Sequence, residues 1–213
     1  MRDVKSDFSS DFLKEQNFNA LLHRLEKESP SAPQGGVDYE LIQDSSALRK
    51  WIERIHTLGF VAFDTETTSL DGMEAQLVGV SLATEASKAC YIPLGHQGEV
   101  RDLLNPGTTP KQIPLNEALA LLKPLLEDPT VLKIGQNIKY DALVLKKYEI
   151  ELSPVDDTMI ISYLLEGAQH GHGMDELAKL HLDYDTIKYQ DVVGSGRSQV
   201  TFDKVPLDKA LTY

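Results

Sequence analysis

Cysteine is nearly absent. Cys90 stands alone among 213 residues, so no intramolecular disulfide can form and no cysteine pair exists to nucleate a zinc site. A reducing compartment is the natural expectation, with the cytoplasm as its default. No apolar run approaches the ~18 residues that a membrane helix needs, and the start, Met1-Arg-Asp-Val-Lys-Ser-Asp7, lacks the apolar stretch of a signal peptide. A membrane partner is therefore not expected. Cations are also scarce: 21 Lys and Arg face 33 Asp and Glu, a formal net charge of −12. That balance argues against a protein that grips nucleic acid by bulk positive charge. It leaves room for a metal-dependent enzyme, because clustered carboxylates are the ligands from which Mg²⁺ and Mn²⁺ sites are built.

What is present suits one domain with a modest extension, with 41% hydrophobic residues to build a core. Phe12, Phe18, Leu21, Leu22 and Leu25 fall at roughly helical spacing behind the capping candidates Ser9, Ser10 and Asp11, which predicts a short amphipathic helix over Ser10 to Glu28. Ser29-Pro-Ser-Ala-Pro-Gln-Gly-Gly36 reads as a linker, since its prolines and paired glycines deny it regular structure. Residues 1–36 are thus a leading helix and linker, and the main domain spans 37–213.

Within that domain Tyr39 to Ile42 is a short strand candidate. Asp44-Ser45-Ser46 then caps a helix whose apolar stripe is Leu48, Trp51, Ile52, Ile55 and Leu58, closed by Gly59. Phe60-Val-Ala-Phe63 follows as a continuous apolar run, the pattern of a strand buried on both faces. Gln76 to Ala83 and Ala89 to Pro93 are further strands, antiparallel neighbours because their connections are short. The second half turns helical: Asn116 to Leu126, Asn137 to Tyr148, Thr158 to Leu165 and Met174 to Leu182, with a short strand at Val131 to Ile134. A loop, Gly194-Ser-Gly-Arg-Ser198, precedes a last segment from Pro206 whose helical pattern still runs at Tyr213. The expectation is an α/β fold with a mixed central sheet flanked by helices.

Asp64-Thr-Glu66 stands at the end of the apolar run. Residues two apart in a strand face the same side, so the two acids would project together from the carboxyl end of a buried strand. Like charges held there repel and lose solvation, which costs several kcal/mol per ion unless a cation compensates. A divalent metal is the simplest compensation; the alternative is that the strand stops short and both acids are solvated in a loop. Gly135-Gln-Asn137-Ile-Lys-Tyr-Asp141 joins a short strand to a helix, with Asn137 and Asp141 spaced to share one helical face. Taken alone, that pair also suits an N-cap followed by a surface acid.

Val61-Ala-Phe-Asp-Thr-Glu-Thr67 through Leu70, Ile134-Gly-Gln-Asn-Ile-Lys-Tyr-Asp141, Asp157-Thr-Met159 and His172-Gly-Met-Asp-Glu-Leu177 together resemble the 3′–5′ proofreading exonuclease domain of bacterial DNA polymerase I, in the family A polymerases. The resemblance runs from about Tyr39 to Tyr213, and Ser10 to Glu28 resembles the segment leading out of the preceding 5′-nuclease domain. It implies a ribonuclease H-like fold, a place inside a longer polymerase, and a bacterial, cytoplasmic, nucleoid-associated setting.

Residue by residue, the resemblance makes Asp64, Glu66 and Asp141 metal ligands for two divalent cations, Mg²⁺ or Mn²⁺. Tyr213 matches the tyrosine of a third motif whose Asp would follow four positions on. The implied reaction releases a nucleoside 5′-monophosphate from the 3′ end of single-stranded DNA. Leu70, Gln136, Asn137 and Tyr189 match substrate-binding positions: a leucine wedged against the terminal base, two side chains near the scissile nucleotide and a stacking aromatic. Gly171 stands where some relatives carry a DNA-contacting Arg, and Arg197, His96, His170, His172 and Cys90 are expected to be structural or solvated. The implied partners are a single-stranded DNA 3′ end and the polymerase and 5′-nuclease domains of the same protein. Lacking the third-motif Asp, the chain as written is expected to be impaired. Two alternatives share the motifs: a catalytically degenerate domain kept as scaffold, and a stand-alone exonuclease of the ribonuclease D or Werner type.

Overall fold

A computed structural model describes residues 36–98 and 109–213. The expected helix over Ser10 to Glu28, and the linker up to residue 35, lie outside the described residues. The elements run β1 (Asp38–Leu41), α1 (Ser45–Leu58), β2 (Phe60–Thr67), β3 (Leu77–Glu85), β4 (Lys88–Pro93), α2 (Leu115–Leu126), β5 (Leu132–Gly135), α3 (Lys139–Lys146), β6 (Val155–Asp157), α4 (Thr158–Glu166), α5 (Met174–Leu182), α6 (Tyr189–Val193) and α7 (Leu207–Thr212). Two 3₁₀ turns, Gly196–Ser198 and Phe202–Lys204, lie between α6 and α7.

The strands form one sheet in the order β1-β4-β3-β2-β5-β6. β2, β3 and β4 are antiparallel neighbours, as their short connections dictate, while β5 lies parallel to β2 and β6 parallel to β5. α1 forms where expected. The Asp44 carboxylate accepts from the Ser46 and Ala47 amides at 3.1 and 3.0 Å, and Gly59, at φ 77°, ends the helix by donating to Ile55 O. Leu48, Trp51 and Ile55 of α1 join Leu122 and Leu125 of α2 and Val144 and Leu145 of α3 in the main core, against Val61 and Phe63 of β2.

The run Phe60 to Phe63 departs from expectation. Val61 and Phe63 are buried, but Phe60 and Ala62 are exposed, so β2 alternates and is not buried on both faces. The main core covers one face only. On the other, a smaller apolar cluster of Tyr91, Val193, Phe202, Val205 and Ala210 covers one end. Beside it lies a cleft of about 610 Å³ between the sheet and α4 and α5, lined by Ala62, Ala83, Ala89, Ile161, Leu165 and Leu182, with Asp64 at its edge. That second face is where the functional residues gather.

Candidate active site

β2 continues as a strand through Asp64, Thr65 and Glu66 to Thr67, which removes the reading in which the acids sit in a loop. Asp64 faces Ser81 and Glu66 faces Gly79 across the antiparallel pair with β3, and a register shift after Glu66 ends the regular ladder. On the opposite side, pairing with β5 stops at Ala62 and Ile134. Past that point the β2 backbone has no strand to pair with, and an unpaired buried N–H is costly. The Thr65 amide instead donates to Asp141 Oδ1 at 2.9 Å, and the Thr65 hydroxyl donates to the same oxygen at 2.6 Å. Strand and helix are thereby tied together at the site, with Asp141 only 2% exposed.

The electrostatics follow from this crowding. Burial, and then the neighbouring Asp141 charge, push Asp64 up to about 7. Burial and the charges of Asp64 and Asp141 push Glu66 up to about 9. Asp141 rises to about 6 through burial, held back by its two bonds from Thr65. No lysine or arginine among the described residues lowers any of the three. The donor set is all carboxylate oxygen, which suits Mg²⁺ or Mn²⁺ over zinc. Among the described residues, however, no three His, Cys, Asp or Glu side chains stand so as to enclose one ion. Asp141 has turned one oxygen onto Thr65, so the acids fit a divalent cation in chemistry and charge without forming a closed cage.

Tyr213, just past the end of α7, stands beside these acids. Burial and then the Glu66 and Asp64 charges push its phenol up, so it stays protonated. Its ring packs on Phe202 with centroids 5.7 Å apart and on Tyr189 at 6.2 Å, while Tyr189 stacks on Phe202 at 6.4 Å. Phe202 is buried; Tyr189 and Tyr213 are partly exposed. Leu70, 92% exposed, stands on the turn after β2. The Thr67 and Tyr140 hydroxyls bond each other at 2.5 Å and both lie within reach of Ser69 O, which one of them holds as donor, steadying that turn.

Asn137 is a correction. α3 begins at Lys139 and Asn137 adopts a left-handed φ of 57°, so it does not share a helical face with Asp141. The cause is Asp157, whose two oxygens accept from the Asn137 and Ile138 amides at 3.0 Å each. Oδ1 also accepts from Met159 N at 2.9 Å, capping α4. This holds the turn back from the helix and leaves Asn137 Oδ1 buried with no hydrogen-bond partner. Gln136 is committed at both ends of its amide, to His172 O at 2.7 Å and from the Thr158 hydroxyl at 2.5 Å.

His170 and His172 are engaged within the fold, His172 with Ser162 Oγ and Gly167 O and His170 with Glu166, and Cys90 is buried in β4. Sequence patterning misses Thr65, Tyr140 and Phe202, because a threonine between two acids, a helical tyrosine and a lone phenylalanine carry no spacing signal. Thr65, Tyr140 and Asp157 fall inside quoted motifs, but their roles, as with the double cap by Asp157, show only in three dimensions.

Residues 39–213 match the 3′–5′ exonuclease family. DNA polymerase I of Rhizobium leguminosarum is 49% identical over 184 residues, covering 82% of this chain and 18% of that protein. The chain thus spans less than a fifth of that polymerase. Among solved structures, Escherichia coli RNase D, an exoribonuclease involved in structured RNA processing, aligns with a TM-score of 0.51 at 21% identity, over 73% of this chain and 36% of that one. Brucella melitensis NrnC with bound Mg²⁺ aligns at 0.52 with 19% identity, over 84% and 73%. These likenesses fix the fold as ribonuclease H-like, with its mixed sheet and flanking helices. The chain belongs to the 3′–5′ exonuclease family, and the relative it matches there is a DNA polymerase I.

Proposed function

We propose that this domain hydrolyses the terminal phosphodiester at the 3′ end of single-stranded DNA, releasing a nucleoside 5′-monophosphate, and so proofreads for the polymerase that carries it. The observation that carries the reading is the set of Asp64, Glu66 and Asp141, three carboxylates gathered at the end of β2 with raised pKa values and, among the described residues, no compensating lysine or arginine. Such a set is costly to keep in a fold unless it holds cations. Asp64, Glu66 and Asp141 would hold two divalent ions, Mg²⁺ or Mn²⁺. When bound, the pair supplies Lewis-acid charge at the phosphodiester oxygens and an acidified water for in-line attack.

The chain's own groups do the rest. The protonated Tyr213 hydroxyl orients the attacking water beside Asp64 and Glu66. Leu70 presents a bare apolar side chain for the terminal base, and Tyr189 offers a ring face for stacking, both contacts indifferent to sequence. Asn137 Oδ1 is a free acceptor in the adjoining turn, while Gln136 holds that turn against α4. With a net charge of −12, the domain does not grip DNA strongly by itself, so the remaining polymerase supplies most of the backbone contact. Its domains also cover the apolar side chains that α4 and α5 expose, Leu164, Leu165 and Leu182 at 76%, 78% and 72%. Among the described residues no helix is long and apolar enough to cross a membrane, and we place the protein in the bacterial cytoplasm at the nucleoid.

Retention of Asp64, Glu66 and Asp141 favours catalysis over a scaffold role. The polymerase relative favours DNA over the RNA of a ribonuclease D-type enzyme. The test is degradation of 3′-labelled single-stranded DNA and RNA of one sequence by the polymerase containing this domain, with Mg²⁺. Faster release from DNA is expected; release from RNA alone would assign the stand-alone class of activity instead.

A further inference from the structure

His96 lies outside the acid cluster and no step above uses it, yet it is 2% exposed and both ring nitrogens are committed. Nδ1 stands 3.0 Å from Val205 O. A carbonyl only accepts, so Nδ1 carries the proton and Nε2 is the acceptor, receiving the Tyr91 hydroxyl at 2.8 Å. The His96 backbone is fixed as well, since the Gln112 side-chain amide bonds both its N–H and its C=O at 3.1 Å.

The two partners of the ring belong to different parts of the fold. Tyr91 is in β4, part of the sheet floor; a Cβ on Gly79 would come within 2.0 Å of its hydroxyl, and Gly79 lies directly across from Glu66. Val205 belongs to the segment that carries the aromatic wall. It follows Phe202, whose ring meets His96 at 6.1 Å and Tyr213 at 5.7 Å. It also immediately precedes Pro206, whose carbonyl accepts from Lys209 and Ala210 at the start of α7. Next to it, the Gln97 amide donates to Asp203 O at 2.8 Å. A displacement of Val205 is therefore passed to two of the supports of Tyr213, the Phe202 ring and α7.

We propose that His96 is a positioning residue for Tyr213, clamping the 202–205 turn to the sheet so that the Tyr213 ring is held beside Asp64 and Glu66. The inference rests on the exonuclease reading for its consequence and on geometry alone for the clamp. Asn places its amide nitrogen near the position of histidine Nδ1, and Gln near that of Nε2. His96→Asn can thus keep the bond to Val205, whereas His96→Gln keeps only the side toward Tyr91.

In the polymerase containing this domain, His96→Gln and His96→Ala should lower exonuclease kcat on the order of 10²-fold, the cost of about 1 Å of misplacement, with KM nearly unchanged. His96→Asn should restore most of kcat. Adding Tyr213→Phe to His96→Gln should cost little more, because both changes remove one function. In the 213-residue chain, ring-to-ring NMR contacts between Phe202 and Tyr213 should persist in His96→Asn and fade in His96→Gln. Persistence of those contacts in His96→Gln, equal loss of kcat in the Asn and Ala variants, or full additivity with Tyr213→Phe overturns the proposal. If the unsubstituted polymerase releases no nucleotide, the exonuclease reading fails, and the NMR contacts still decide the clamp.

Discussion

Thr65 shows how much of this site is held by a residue outside the set of acids. Its amide and hydroxyl both donate to Asp141 Oδ1, which fixes a helix-borne carboxylate against the strand that carries the other two. Replacing it by valine preserves the shape on a β-branched scaffold and removes only the hydroxyl donor. Thr65→Val should weaken Mn²⁺ binding by about tenfold, as loss of a ligand-orienting hydrogen bond does. It should cost about 1 kcal/mol of stability for the missing bond. Calorimetric titration with Mn²⁺ beside a urea melt separates the two effects. Unaltered affinity would show that Asp141 needs no such support. The same oxygen helps to hold Asp141 below Asp64 and Glu66 in pKa, since the Thr65 amide and hydroxyl both favour its charged form.

At the scale of elements, Asp157 matters most. It ends the short strand β6, caps α4 and bonds the Asn137 and Ile138 amides before α3, so one side chain sets the start of two helices. Asp157→Ala strands these donors, and a loss of about 2 kcal/mol is expected from the cap alone. The turn bearing Asn137 should loosen as well. Hydrogen exchange at Asn137 and Ile138 measures this directly, and unchanged protection would contradict it.

The helices α1, α2, α4 and α5 were legible in sequence because apolar periodicity and caps such as Asp44 and Gly59 agree. The antiparallel β2–β4 was legible because short connections permit little else. β6 was not, since its three residues carry no period, and α6 has only one buried residue, Val193, to mark it. The start of α3 was misplaced because side-chain capping from a distant residue overrides local spacing. Asp64, Glu66 and Asp141 could be named from motifs. That Tyr213 meets Phe202 and Tyr189 depends on packing between segments far apart in the chain.

For the molecule as a whole, the shortage of cations becomes a stability property. Asp64, Glu66 and Asp141 lie at about 7, 9 and 6 against ordinary values of 3.8, 4.5 and 3.8. The folded protein therefore keeps protons that the unfolded chain has already released. The contribution of these three groups to stability is fully present below the ordinary carboxylate range and is lost as pH rises through 6, 7 and 9. Urea melts in a chelator should show this fall, and Mg²⁺ should flatten it by taking the place of the protons. A stability that rises across that range in chelator would show the acids to be already compensated.

The central claim, that these acids carry phosphodiester hydrolysis at a 3′ end, is tested most directly by one comparison. The polymerase containing this domain and its Asp64→Ala variant are incubated with Mg²⁺ and 3′-labelled single-stranded DNA, and released mononucleotide is quantified. The expected result is steady release by the unsubstituted protein and a loss on the order of a thousandfold in the variant, with primer extension by both unchanged. Equal release by the two proteins, or none by either, would contradict it.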